Sequence, residues 1–95
     1  MNTECPAERL LKALSGKWKP QIFHLATQGP IRFNNLVRAL EGASKQSVAT
    51  AIKGLLEEGI LQKEVIQQKP LHIEYTLSQK GHSLIPIFQQ LEILS

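Results

Sequence analysis

The sequence predicts a mainly α-helical domain that carries one small β-hairpin in its second half. Over residues 6–59, apolar side chains recur every three or four positions, which is the spacing of amphipathic helices. From Leu71 to Leu77 the apolar period changes to two, which is the alternation of a half-buried strand. The chain has 95 residues and 42% hydrophobic content, so we expect one domain over residues 1–95.

Prolines and glycines mark the ends of the first two helices. Pro6 suits a first helical position, because that N–H stays unpaired at any helix start, and Gly16 suits a helix end. A first helix is therefore predicted from Pro6 to Ser15. Pro20 marks the start of a second, largely apolar helix, which ends before residues 29–30, Gly-Pro.

Two further amphipathic helices are separated by a short turn. Residues 33–40 place apolar side chains at i, i+3, i+4 and i+7, and Gly42 follows them. Ser44 is a good N-cap for a helix over residues 45–58, which Gly59 closes. Two short helices joined by a glycine-containing turn form a helix-turn-helix, which we place at residues 33–58.

A polar segment interrupts the strand-like region that follows. Residues 67–70, Gln-Gln-Lys-Pro, divide residues 60–77 into two strands of a hairpin with a polar and basic tip. A hairpin directly after a helix-turn-helix is the wing of a winged helix-turn-helix, and this is the fold class that we predict.

The last segment, residues 78–95, is predicted as one helix that Ser78 caps and that Pro86 kinks. Ile85 and Ile93 make its apolar side wider than one small core needs. We therefore expect this helix to be buried against a second copy of itself in a homodimer. The residues predicted in this interface are Leu84, Ile87, Phe88, Leu91 and Leu94.

The composition limits the classes of partner. Eleven Lys and Arg residues against eight Asp and Glu residues give a net charge of +3, which suits a polyanion such as double-stranded DNA. Neither a signal peptide nor a membrane-spanning run is present, so we expect a cytoplasmic protein without a membrane role.

The histidines and Cys5 lack metal-ligand spacing, and no phosphate loop or catalytic triad is suggested. We predict no metal, no cofactor and no enzymatic activity.

Five segments of the chain, in order, resemble the motifs of one known family. They are residues 5–8, Cys-Pro-Ala-Glu; 16–18, Gly-Lys-Trp; 29–36, Gly-Pro-Ile-Arg-Phe-Asn-Asn-Leu; 55–59, Leu-Leu-Glu-Glu-Gly; and 74–78, Glu-Tyr-Thr-Leu-Ser. Together they cover nearly the whole chain and are similar to the HxlR-type family of bacterial winged-helix regulators. The resemblance implies a homodimer built by the first and last helices, with two recognition helices that enter successive major grooves.

The second helix of the predicted helix-turn-helix carries polar residues beside its apolar stripe, where recognition helices meet base edges. Gln pairs well with adenine, Lys with guanine, and Ser or Thr with bases or phosphates. The candidates for base contacts are Lys45, Gln46, Ser47, Ala49, Thr50 and Lys53. The function we expect is sequence-specific DNA binding by a transcriptional regulator. The alternative is a winged helix whose polar face docks a protein.

Five basic residues outside this helix are predicted to contact DNA phosphates, which adds affinity and salt dependence without sequence choice. They are Lys17, Lys19, Arg32, Lys69 and His72. Members of the family commonly carry an Arg where this chain has His72, so a contact there is expected to be weaker or to depend on pH.

Cys5 is a candidate sensor of oxidants or electrophiles. It precedes Pro6, where the dipole and free N–H groups of the first helix favour a thiolate, although Glu8 opposes this effect. Some family members sense oxidants with a cysteine at this position, and the resemblance extends that role to Cys5. The alternative is a small residue near the dimer interface without a signalling role. With one cysteine per chain, a disulfide would form between subunits or with a small thiol.

Overall fold

The computed structural model describes residues 6–94, and this part of the chain forms six α-helices and a two-stranded antiparallel sheet. In chain order the elements are α1 (Pro6–Ser15), α2 (Lys19–Ala26), α3 (Phe33–Ala39), α4 (Lys45–Glu57), β1 (Leu61–Gln67), β2 (His72–Leu77), α5 (Gln79–Ser83) and α6 (Ile85–Leu94). The predicted class, mainly α-helical with one small hairpin, is confirmed.

The core gathers around α4. Val48 and Leu55 on α4 are fully buried, together with Ile22 and Phe23 on α2 and with Ile60 before β1. The four helical residues among these occupy apolar positions that the helical spacing predicts. Helix α4 packs against α1, α2, α3 and β1, so the other elements are arranged around this one helix.

Besides its packing on the helices, the hairpin is joined by a backbone bridge to the segment before α3. Strand β2 pairs with β1 from Leu61 opposite Leu77 to Gln67 opposite His72, with a bulge between Val65 and Gln67. On its other edge, Tyr75 exchanges two backbone hydrogen bonds with Ile31, at 2.9 and 2.8 Å. Because Ile31 lies just before α3, this bridge sets where the hairpin leaves the domain.

The C-terminal segment departs from its prediction. The sequence predicts one helix over residues 78–95, kinked at Pro86, whereas the structure has two helices, α5 and α6, with Leu84 between them. Pro86 lacks the N–H that would bond to the His82 carbonyl, so the helical ladder is interrupted there. Ser78 does cap α5, since its Oγ accepts the Gly81 N–H at 3.0 Å.

Gly81 of α5 lies directly against the strand that precedes it. A Cβ built on Gly81 would overlap the Ile60 carbonyl oxygen and would lie 3.1 and 3.2 Å from Cδ2 and Cβ of Leu77. No flexible side-chain end can give way at the Ile60 backbone, so this contact requires glycine.

We predict that Gly81→Ala lowers the free energy of unfolding. Alanine favours a helix by about 1 kcal/mol over glycine, but a clash with backbone falls at the upper end of the about 1–3 kcal/mol that overpacking costs, so the net loss is expected to be about 2 kcal/mol. Urea denaturation followed by circular dichroism measures it. Gln79→Ala, an exposed position on the same helix, is the matched control and should stay within about 0.5 kcal/mol of the wild type. Equal stability of Gly81→Ala and the wild type would contradict the close packing of α5.

Candidate nucleic-acid interface

The polar face of α4 is the centre of the candidate interface. Val48, Ala51, Ile52 and Leu55 form its buried side. The opposite side presents five of the six predicted base-contacting residues, all of them exposed: Lys45, Gln46, Ala49, Thr50 and Lys53. Because the buried side is held in the core, these residues are held facing outward.

Ser47, the sixth candidate, has a structural task. Its Oγ accepts the Ser44 backbone N–H at 3.0 Å, and its own N–H donates to Ser44 Oγ at 3.1 Å. This reciprocal pair is a capping box that satisfies two backbone groups at the start of α4. Ser47 Oγ also donates to the Ser44 carbonyl at 2.9 Å. The sequence predicts Ser44 as the cap, but it does not reveal the use of Ser47, because the usual residue at its position in this motif is Glu or Gln.

Thr50 also bonds to its own helix. Its Oγ1 donates to the Gln46 carbonyl at 2.9 Å. The hydroxyl proton is thereby used, while the oxygen lone pairs and the methyl group remain available. Thr50 can therefore accept a hydrogen bond or contact a thymine methyl group.

Lys17 and Lys19 lie beside the start of α4, although the sequence separates them from it by more than twenty residues. A cleft of about 500 Å³ is lined by both lysines together with Gln46, Ser47 and Thr50. Three of the candidates for base contacts and two of the candidates for phosphate contacts thus share one cleft. We call it the α2–α4 cleft.

The two lysines are arranged by the backbone at Trp18. This residue has a left-handed conformation, with φ 71°, and it precedes α2. Such a conformation costs a non-glycine residue roughly 1–2 kcal/mol. It turns the chain sharply between α1 and α2. The Lys17 ammonium lies 5.7 Å from the centre of the Trp18 ring, within range of a cation–π interaction.

His72 on the wing has carboxylate neighbours that the sequence analysis did not take into account. His72 Nε2 lies 3.0 Å from Oε2 of Glu74, two residues along β2, and Glu64 on β1 stands directly opposite Glu74. Two carboxylates on this face disfavour an approaching phosphate. The spacing of two along a strand, which places His72 and Glu74 on one face, is the signal that could have revealed the pair.

The remaining predicted phosphate contacts lie on or near the wing. Lys69 is exposed in the turn between the strands, where its carbonyl accepts a hydrogen bond from Gln67 Nε2 at 2.9 Å. Arg32, just before α3, is exposed and lines a small cleft with Leu71 and Ile73 of the hairpin. The five predicted phosphate contacts therefore form two groups, one at the α2–α4 cleft and one at the wing.

The residues predicted for a dimer interface divide into two sets. Leu84 is buried at 5% exposure, and Phe88 is half-buried, with its ring 4.9 Å from that of Phe23. The other three are exposed to a large extent: Ile87 at 53%, Leu91 at 48% and Leu94 at 81%.

An apolar groove between α1 and α6 runs past these exposed side chains. Leu84 lines it together with Leu10, Leu14, Ile87 and Leu91. Leu11 and Ile93, which the sequence analysis did not name as interface residues, are exposed at 61% and 75%. We call the exposed apolar surface formed by Leu11, Ile87, Leu91, Ile93 and Leu94 the α1–α6 face.

Cys5 lies outside the described residues. Over residues 6–94 no group of three or more His, Cys, Asp or Glu side chains is arranged to hold a metal ion. In the same range no helix has the length and apolar character needed to cross a membrane.

Comparison with known proteins identifies the family. Residues 13–94 match the model of the HxlR-like helix-turn-helix family. The chain is 32% identical over 92 residues to the HTH-type transcriptional regulator YodB of Bacillus subtilis (strain 168), covering 96% of this chain and 82% of YodB. It is 34% identical over 85 residues to the putative regulatory protein MalR of Fusobacterium mortiferum, covering 88% and 80% of the two chains.

Solved structures give the same result. The redox regulator HypR in its reduced form superposes with a TM-score of 0.85 at 32% identity, over 93% of this chain and 87% of HypR. The reduced form of YodB superposes with a TM-score of 0.84 at 27% identity, over 96% and 90% of the two chains. These relatives are transcriptional regulators and not enzymes, and the chain belongs to the HxlR-like helix-turn-helix family of transcriptional regulators.

Proposed function

We propose that the chain is a homodimeric transcriptional regulator that binds a specific double-stranded DNA sequence through the exposed side of α4. The observation that carries the proposal is the α2–α4 cleft, where Gln46 and Thr50 of α4 share one surface with Lys17 and Lys19. Polar side chains that can distinguish bases and cations that can neutralise phosphates are both needed for a specific DNA site.

In this proposal the first half of α4 enters the major groove. The Gln46 amide pairs with an adenine edge, and Lys45 and Lys53 donate to guanine or to phosphate. The Ala49 methyl group packs on a thymine methyl group, and Thr50 accepts a hydrogen bond or makes the same apolar contact. Ser47 supports these residues from the capping box, because its hydroxyl is bonded to Ser44.

The basic residues around α4 contact the phosphates that flank the groove. Lys17 and Lys19 act on one side, at the α2–α4 cleft, and Lys69 and Arg32 act on the wing side. We assign His72 the weakest contact of the five, since Glu74 lies 3.0 Å from its ring nitrogen.

A second copy of the chain covers the α1–α6 face. Leu11, Ile93 and Leu94 are exposed at 61%, 75% and 81%, which is a large apolar area for a small domain to leave in water. A two-fold dimer buries such a face against itself, and it also presents two α4 helices to two half-sites of a palindromic operator.

Oxidation of Cys5 changes DNA binding. The solved relatives include the redox regulator HypR in reduced and oxidised forms and YodB after treatment with diamide. With one cysteine per chain, diamide would take two electrons from the Cys5 thiols of two subunits and join them in an intersubunit disulfide. Cys5 directly precedes α1, so such a bond would act on the α1–α6 face and on the spacing of the two α4 helices.

Charge reversal on α4 tests the DNA contact. We predict that Lys45→Glu lowers the affinity for the operator duplex at least about tenfold. It should also make the negative slope of log K against log salt shallower by about 1 or more per protomer. Fluorescence anisotropy at several salt concentrations measures both. A glutamate in the first turn favours the helix, so unfolding is not expected to cause the loss.

Lys80→Glu is the control for this experiment, since it changes the net charge equally. Lys80 lies on α5 and donates to the Glu58 carbonyl at the far end of α4. Its reversal should change the affinity less than about threefold, as expected for a charge that screening separates from the DNA. Equal losses for both variants, or DNA binding absent in the wild type, would contradict the proposed interface and favour a protein partner for α4.

A single charge on the α1–α6 face tests the dimer. Leu91→Glu should raise the dissociation constant of the dimer by roughly two orders of magnitude, because an unpaired buried carboxylate costs a few kcal/mol. Sedimentation equilibrium measures the constant. Ile66→Glu, at an apolar side chain of similar exposure on β1, should leave the dimer intact. A Leu91→Glu protein that remains fully dimeric would contradict this interface.

Removal of the thiol tests the redox response. The DNA affinity of the wild type should change after diamide treatment and should recover after reduction, whereas Cys5→Ser should keep one affinity throughout. The same anisotropy titration measures all of these affinities. If Cys5→Ser retained the full response to diamide, a sensing role for Cys5 would be ruled out.

A further inference from the structure

The side chain of Lys19 lies between two glycines. A Cβ built on Gly16 would stand 3.0 Å from both Cδ and Cε of Lys19, and a Cβ built on Gly54 would stand 2.7 Å from Cε and Nζ. The lysine is half-buried, although its charge is one that proteins usually leave in water. Its position therefore depends on the missing side chains of two residues, one before α2 and one within α4.

Gly54 is an unfavourable residue for its position within a helix. It lies in the last third of α4, where glycine is less favourable than alanine and where no turn or cap requires it. Within the described part of the chain, and apart from the backbone of α4 itself, the close neighbours of a Cβ at Gly54 are Cε and Nζ of Lys19. A side chain at this position would therefore displace the flexible end of Lys19 from the surface of α4.

Gly54 lies one turn after Thr50 on the same side of α4. Lys19 and Thr50 both line the α2–α4 cleft, together with Gln46. The ammonium group therefore rests beside the row of side chains that would meet the DNA.

Among residues 6–94, no carboxylate neutralises the ammonium group of Lys19, since none has an oxygen within 4.0 Å of Nζ. A half-buried cation without a carboxylate partner in this part of the chain suits an anion supplied from outside.

We infer that Gly54 is a positioning residue for DNA binding. Because Gly54 has no side chain, Lys19 can lie against α4. Its ammonium group is thereby held where it contacts the phosphate beside the bases that α4 contacts. This inference rests on the proposed function. A free lysine side chain loses rotamer freedom when its ammonium group is immobilised. Packing between Gly16 and Gly54 limits that freedom before DNA arrives, which lowers the entropy cost of the contact.

A double-mutant cycle on Gly54→Ala and Lys19→Met tests the inference. The probe is a DNA duplex that the wild-type protein selects from a random pool, titrated by fluorescence anisotropy at several salt concentrations. Lys19→Met keeps an unbranched apolar chain and removes the charge. It should make the negative slope of log K against log salt shallower by about 0.9 per protomer, the contribution of one neutralised phosphate.

Gly54→Ala should lower the salt slope by a similar amount while the lysine is still present, because the added methyl group displaces the ammonium group. In the Lys19→Met background the same substitution should change neither the slope nor the affinity. The melting temperature of Gly54→Ala should equal or exceed that of the wild type, since alanine favours the helix. Loss of folding would then not explain its weaker binding.

Three outcomes would overturn the inference. Gly54→Ala could bind with the wild-type affinity and slope, which would show that Lys19 does not need the space. Gly54→Ala could weaken binding equally in the Lys19→Met background, which would show that the methyl group acts on DNA directly. Lys19→Met could keep the wild-type slope, which would show that Lys19 makes no phosphate contact.

A wild-type protein that selects no duplex overturns the proposed function itself, and this result is seen before any variant is compared.

Discussion

The burial of one side of α4 is the constraint on which the rest of the structure depends. Val48, Ile52 and Leu55 are 0–3% exposed and face the elements that surround the helix. Each such aliphatic side chain contributes about 1.5–3 kcal/mol on burial, whereas turning the helix to bury Lys53 would leave an unpaired charge in the core at a cost of several kcal/mol. The core thereby determines which residues of α4 face outward, and this is why a packing pattern predicts a binding surface.

The hairpin and helix α6 are attached to the rest of the domain in different ways. At the hairpin, the Ile31–Tyr75 bridge attaches the wing to the start of α3, while β1 is largely exposed beyond Leu61 and β2 is half-buried. At the C-terminus, the interruption before Pro86 separates α6 from α5. Phe88 on one side of α6 packs on Phe23, and Ile87 and Leu91 on the other side line the groove beside α1. A helix that anchors on one side and stays exposed on the other can join two copies without disturbing the core.

Periodicity predicts the elements well because it reports burial along a single helix or strand. The stripe of α4, its cap at Ser44 and the polar tip at Lys69 all follow from local spacing and turn chemistry. Contacts between elements were not predictable in this way. Lys19 meets Gly54 only once α2 is packed on α4, and the separation of α5 from α6 depends on where Pro86 falls relative to the Gly81 contact. The His72–Glu74 pair, in contrast, is local and follows from the spacing of two along one strand.

We propose that the outward side of α4 is the surface that meets DNA. An amide-shift titration of the ¹⁵N-labelled protein by two-dimensional NMR, with the duplex that the protein selects, tests this proposal. We expect the largest shifts on residues 45–53 and on residues 17–19, with smaller shifts at the wing and the smallest on α6. Shifts that concentrate on α1 and α6, with α4 unchanged at saturation, would contradict it.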